Sequence, residues 1–204
     1  MTELPDLEPT ARRVTRLLDN ITDDQLSAPT PCADYAVRDL LSHLIGLTIA
    51  FRDAASKTLG PTTATSPDGP PPELPADWRT QLPRHLEEVA AAWRSPAAWE
   101  GMTQAGGVTL PGEAAGRVAL NEIMLHGWDL ARATRQEYEG DEPSVRELIA
   151  FLTPAASAES AGEAEEPDAP ADLFGPPVDV PADAPPLDRL LGLAGRNPHW
   201  QAPR

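Results

Sequence analysis

The chain has 204 residues, 41% of them hydrophobic and 5% aromatic, with a formal net charge of −16. That is enough for one sizeable core with extensions, while the charge argues against nucleic-acid binding, which needs a clustered basic face, and disfavours anionic membranes. No apolar run approaches a membrane span and the N-terminal MTELPDLEPT lacks a basic-then-apolar signal pattern, so the expectation is a cytoplasmic protein.

A first helix is expected from about Thr10 to Ile21, where Ala11, Val14, Leu17, Leu18 and Ile21 recur at helical spacing and Thr10, just after Pro9, offers an N-cap. The turn-rich loop TDDQLSAPTPCADY follows and holds Cys32, whose solitude excludes an internal disulfide and a multi-cysteine metal site. Cys32 reads as a small packing residue or as a nucleophile, and with Arg38 the only cation nearby the packing role is the better supported. A second helix is expected from Val37 to about Thr58. Val37, Leu40, Leu41, Leu44, Ile45 and Ile49 make its core stripe, and His43 sits on the border of that stripe.

Residues 60–75, GPTTATSPDGPPPELP, read as an exposed proline-rich connection rather than a helix or central strand. The third helix, about Asp77 to Arg94, is expected to start between Trp78 and Pro83, with His85 a solvated first-turn residue. Residues 95–111 read as irregular, and the doublet Gly106-Gly107 matches neither nucleotide-binding spacing. A fourth helix is expected from Gly112 to about Arg135, and a short fifth from Pro143 to Leu152, opened by Asp141 and Glu142. From Thr153 to Pro186 the chain is acidic and rich in Pro and Ala; SAESAGEAEEPDAPAD is expected to be disordered or loosely attached, with LFGPPVDV a short apolar island that docks. A small last helix through Leu187, Leu190, Leu191 and Leu193 should stop near Gly195, with Trp200 as an anchor beside a solvated His199. The expected fold is all-α: an antiparallel four-helix bundle over residues 1–152, with residues 153–204 as an extension.

The chemistry concentrates in NEIMLHGWDLARAT, residues 121–134. Glu122, His126 and Asp129 fall at i, i+4 and i+7, so at about 100° per residue all three project from one face. Ile123, Met124, Leu125, Trp128, Leu130 and Ala131 make the segment apolar nearly all round, which buries it and requires the Glu and His to be paired or bound to a metal. Two ligands do not close a site; of the four histidines, His43 is the other one set in a strongly periodic apolar run and is the candidate third. The alternative is an ordinary Glu-His helix pair with His43 a satisfied core histidine, and spacing alone does not choose between them.

The combination of TPCADYAVRDLLSHLIG, LPGEAAGRVALNEIMLHGWDLARAT and FGPPVDVPADAPPLDRLLGLAGRNPHW resembles the DinB-like superfamily, and within it single-domain relatives of the mycothiol-dependent maleylpyruvate isomerase N-terminal domain. The resemblance covers most of the chain, thinning after Gly60 and Thr153. It implies a four-helix bundle around one divalent ion, most often zinc with nickel an alternative, held by His43 of the second helix and by Glu122 and His126 of the fourth. Asp129 is similar to the isomerase's acidic residue near its thiol cosubstrate, which makes it the expected catalytic and cofactor-binding residue. The isomerase has a further C-terminal domain with a basic residue that helps shape its active site. Only a short tail stands here, so thiol dependence carries over and maleylpyruvate isomerisation itself does not. Abundant Ala and Arg suit an actinobacterial source, where mycothiol is the main low-molecular-weight thiol.

The implied activity is that of a metalloenzyme that activates mycothiol as a thiolate and acts as an S-transferase or isomerase on an electrophilic small molecule. The expected partners are that electrophile and the thiol, with no nucleic acid or membrane, in a monomer or homodimer. The rival readings are a metal-dependent hydrolase using activated water and a non-catalytic small-ligand binding protein. Asp129 also has a plainer reading, as an outer carboxylate paired with Arg132 or Arg135.

Overall fold

The computed structural model describes residues 4–33, 35–66, 69, 71–153 and 176–203. In chain order the elements are α1 (Glu8–Leu18), α2 (Val37–Ala55), the single turn α3 (Pro61–Ala64), α4 (Trp78–Ala92), the single turn α5 (Pro96–Trp99), the strands β1 (Met102–Ala105) and β2 (Val108–Pro111), α6 (Gly112–Ala133), α7 (Glu142–Leu152) and α8 (Pro186–Leu193). The all-α expectation holds. Helices α1, α2, α4 and α6 close a ring in which α2 and α1 each pack against both α4 and α6. Their apolar stripes meet in one core, where Val14, Leu40, Leu44, Leu86, Leu120 and Ile123 are fully buried. Each such leucine contributes about 1.5–3 kcal/mol through burial. No helix among the described residues is long and apolar enough to cross a membrane.

Local chemistry sets the helix starts. Asp39 Oδ2 accepts from the Ala36 amide at 3.0 Å where α2 begins, and Asp141 Oδ2 accepts from the Ser144 amide at 3.2 Å where α7 begins. Helix α1 starts earlier than Thr10. Pro9 occupies its first turn, Asp6 Oδ1 accepts from the Glu8 amide at 2.9 Å, and Thr10 is buried inside the helix rather than capping it.

Three further expectations are corrected. The connection after Gly60 includes the helical turn α3, opened by Pro61 in its first turn. Helix α4 starts at Trp78 and runs through Pro83, so His85 lies in its interior, 7% exposed and not solvated, with Nδ1 3.2 Å from Glu88 Oε2. Residues 95–111 are not irregular. They form α5 and an antiparallel hairpin pairing Ala105 with Val108 across Gly106 (φ 59°) and Gly107 (φ 80°), the two positive angles that a tight two-residue hairpin turn requires. Thr103 Oγ1 donates to the Ala54 carbonyl at 2.6 Å and the Gly107 amide to the Thr63 carbonyl at 2.9 Å, which ties the hairpin to α2 and α3.

Helix α8 packs on α7, and its Leu190 joins the main core. Leu191 and Ala194 form a second cluster with Leu125 and Trp128 of α6, against which Trp200 rests, while His199 is exposed. The Val178 amide donates to the Gly192 carbonyl at 2.9 Å, which places the end of the predicted apolar island on α8. The stretch SAESAGEAEEPDAPAD and the start of that island lie outside the described residues.

Candidate metal centre

Helix α6 is buried on nearly all sides, as its composition requires, and Trp128 is core at 4% exposure. Gly127 makes room for its neighbours: a Cβ there would lie 2.6 Å from Val14 Cγ2 of α1 and 3.1 Å from the Tyr138 hydroxyl. Helix α1 therefore lies directly against the turn of α6 that carries His126.

The structure brings His43, Glu122 and His126 together. Glu122 Oε2 lies 3.2 Å from His126 Nε2 and 3.6 Å from His43 Nε2, and one ligand atom from each of the three residues falls within 4.8 Å of the others. Among the described residues this is the one grouping of three or more candidate metal ligands. A tetrahedral site with bonds near 2.0–2.1 Å has ligand-to-ligand edges of roughly 3.3 Å, so the two Glu-His separations suit zinc or a similar ion. The His43 and His126 rings meet edge-on with centroids 4.9 Å apart, and the Tyr35 ring lies 5.3 Å from His43. The His43 and Glu122 side chains are 18% and 19% exposed against 7% for His126, so the cluster opens to solvent on the His43–Glu122 side.

Glu122 and His126 shift each other's acidity. Burial pushes the Glu122 carboxyl upward, but hydrogen bonds and charge from His126 and His43 outweigh that and hold it far below the usual carboxylate range. Burial pushes His126 down, yet Asp129 and Glu122 raise it to about 9. The cluster thus concentrates negative charge on two imidazoles, which a proton satisfies in part and a divalent cation would satisfy in full.

Asp129 is fully buried, and its Oδ2 lies 3.0 Å from His126 Nδ1. With His126 raised to about 9, both ring nitrogens carry a proton near neutral pH, Nδ1 donating to Asp129 and Nε2 to Glu122, and loss of the Nε2 proton leaves a lone pair on the side of Glu122. The arginine that meets Asp129 is neither Arg132 nor Arg135. Those two donate to the carbonyls of Trp200 (2.6 and 3.1 Å) and Pro203 (3.0 Å). Arg196 instead reaches Asp129 from the C-terminal segment, with Nε 3.1 Å from Oδ1 and Nη2 3.1 Å from Oδ2. Burial lowers the pKa of the Arg196 guanidinium, but the charge and hydrogen bond of Asp129 outweigh that and hold it above its ordinary range, with Cys32 and Glu122 adding to the effect. Arg196 is thus a cation in the surroundings of Cys32, whereas Arg38, its neighbour in sequence, donates to the Leu26 carbonyl. In sequence Arg196 carries one signal, its place just after the helix-stopping Gly195.

Residues 7–131 match the family described as the mycothiol maleylpyruvate isomerase N-terminal domain. The chain belongs to that family. The matched stretch includes His43, Glu122, His126 and Asp129 and stops short of Arg196. An uncharacterized protein found in each of two strains of Mycobacterium tuberculosis is 30% identical over 184 residues, spanning 88% of this chain and 90% of the relative. Two crystal structures share the fold: the mycothiol-dependent maleylpyruvate isomerase, with a TM-score of 0.57 at 21% identity, and a histidine-to-alanine mutant of it, with a TM-score of 0.58 at 20% identity. Each likeness covers 80% of this chain and 77% of the other.

Proposed function

We propose that this member of the family is a metal-dependent enzyme that uses a low-molecular-weight thiol, with mycothiol the expected one, as an S-transferase or isomerase acting on an electrophilic small molecule. The observation that carries the reading is the convergence of His43 Nε2, Glu122 Oε2 and His126 Nε2 at the bundle's solvent-facing opening. Mycobacterial relatives and the family's thiol-named isomerase support the choice of thiol. A cytoplasmic setting suits the reading, because free thiols persist in reducing compartments.

The three residues would hold zinc, or nickel, through two neutral imidazoles and one carboxylate. A divalent ion there would lower the pKa of a thiol and supply it as a thiolate at neutral pH. The chain's own residues do the rest. Glu122 would neutralise part of such an ion's charge, opposite the imidazole that α2 contributes. The partly exposed His43–Glu122 edge would admit thiol and electrophile, and the buried His126 side would exclude water behind them. Asp129 touches His126 rather than the opening, so the role its surroundings support is to hold the imidazole in the coordinating tautomer.

The test measures divalent metal in the purified protein and in His43→Ala, then consumption of a panel of electrophiles such as maleylpyruvate with and without mycothiol. About one ion per chain, lost in the variant, with turnover only when thiol is present, is the expected result. Metal content no higher than that of His43→Ala overturns the proposal. Turnover that ignores the thiol would instead make the protein a hydrolase.

A further inference from the structure

We propose that Arg196 is a positioning residue for the metal centre: by gripping both oxygens of Asp129 it fixes the His126 imidazole with Nε2 aimed at Glu122 and His43. The inference rests on the reading of those three residues as ligands, but it concerns a residue 67 positions beyond Asp129, outside the stretch matched to the family.

A carboxylate that meets an imidazole through one oxygen can still turn about its own axis and swing the ring with it. The planar fork of Arg196 removes that freedom. Its Nε spans Oδ1 at 3.1 Å and Oδ2 at 3.3 Å, and its Nη2 reaches Oδ2 at 3.1 Å, so three contacts fix the plane of a fully buried carboxylate. Oδ2 is the oxygen that His126 Nδ1 meets at 3.0 Å. Guanidinium, carboxylate and imidazole therefore form one continuous chain ending at the ligand nitrogen, the outer-shell support that metal-binding histidines require.

The grip is itself held rigidly. Helix α8 ends in a paired cap. Gly195 takes a φ of +74° and its amide donates to the Gly192 carbonyl at 3.1 Å, while the Arg196 amide donates to the Leu191 carbonyl at 2.8 Å. Arg196 thus leaves the helix at a backbone position set by two hydrogen bonds. Beyond it, the Trp200 carbonyl is clamped by Arg132 of α6. The segment is pinned to α6 on both sides of the arginine, through the Leu191 and Ala194 cluster before it and through Trp200 after it. A surface tail needs no such arrangement.

The experiment uses the full chain with Arg196→Gln, Arg196→Lys, Asp129→Asn and the Arg196→Gln/Asp129→Asn pair, with Arg52→Gln as a control. Cobalt(II) affinity is measured by competition with a chromophoric chelator, together with the visible spectrum of the cobalt protein. Exchange of the His126 Nδ1 proton is measured by NMR on the metal-free protein. Arg196→Gln is expected to weaken cobalt binding by about 10–100-fold and to alter the visible bands. It should also speed exchange of the imidazole proton, with Arg196→Lys in between and Arg52→Gln unchanged. In the Asp129→Asn background the arginine change should add little, because both act through one contact. The paired variant removes both charges and so keeps the test valid if Arg196→Gln alone folds poorly. Wild-type affinity, spectrum and proton exchange in Arg196→Gln overturn the proposal. If the wild-type chain takes up no cobalt, it is the ligand reading that fails, and the proton exchange still decides whether Arg196 holds His126.

Discussion

Two buried histidines of this protein sit in nearly the same local arrangement. His85 on α4 has Nδ1 3.2 Å from Glu88 three residues on, and Glu88 is met by Arg52 at 2.7 Å. His126 on α6 has Nδ1 3.0 Å from Asp129 three residues on, and Asp129 is met by Arg196. The difference lies on the other side of the ring. His126 Nε2 looks onto Glu122 and His43, whereas His85 belongs to no grouping of three candidate ligands among the described residues. A histidine, a carboxylate and an arginine in series are thus a structural device for orienting a ring, and chemistry begins where a second helix brings something for that ring to meet.

The comparison breaks most sharply at the rings themselves. His126→Ala should abolish stoichiometric metal after dialysis, while His85→Ala keeps it, and metal analysis of the two purified variants reads the contrast directly. Equal metal loss in both would remove the distinction.

Acidity offers the next largest effect. With His126 raised to about 9 in the metal-free protein, a cation must displace one proton below that pH. Apparent zinc or cobalt affinity should then rise about tenfold per pH unit between roughly pH 6.5 and 9 and level off above, as titrations at several pH values would show. The stability of the metal-free protein follows the opposite sign for this group. A raised histidine stabilises fully below its unfolded value of 6.5 and loses that contribution as pH climbs toward 9, whereas the depressed Glu122 contributes above 4.5 and loses its share as pH falls. Thermal midpoints of the metal-free protein should therefore peak between those two values.

Gly127→Ala sharpens the contrast from the backbone. The added methyl meets Val14 and Tyr138 and should cost about 1–3 kcal/mol in denaturant unfolding, with weaker metal binding as α1 is pushed from α6. Smallest is Arg52→Ala. Its side chain and that of Glu88 are each about a third exposed, so the loss should stay near or below about 1 kcal/mol, with metal affinity untouched.

Much of this was legible in the sequence, and the misses have physical causes. The stripe of Glu122, His126 and Asp129 follows from helical periodicity over a long apolar run, and His43 stood out as the other histidine in such a run. The partner of Asp129 did not. Arg132 lies one turn further along the same helix and Arg135 just past its end, but their side chains go to the carbonyls of Trp200 and Pro203. No periodicity reports that an arginine 67 residues away returns to the site. His85 is buried rather than solvated because the helix opens at Trp78, the early end of the expected range, and runs through Pro83, which puts His85 about two turns in rather than in the first turn. The hairpin escaped because strands of four residues are too short to show alternation; its glycine pair was the visible sign, and it meant a turn rather than a phosphate loop.

That glycine pair also offers a practical handle. The hairpin leads straight into the first residue of α6, and 14 residues of helix separate Gly112 from His126, a rise of roughly 21 Å. A reporter group or short peptide spliced between Gly106 and Gly107 would ride at the remote end of the helix that bears the ligands, far enough to watch binding without joining in it.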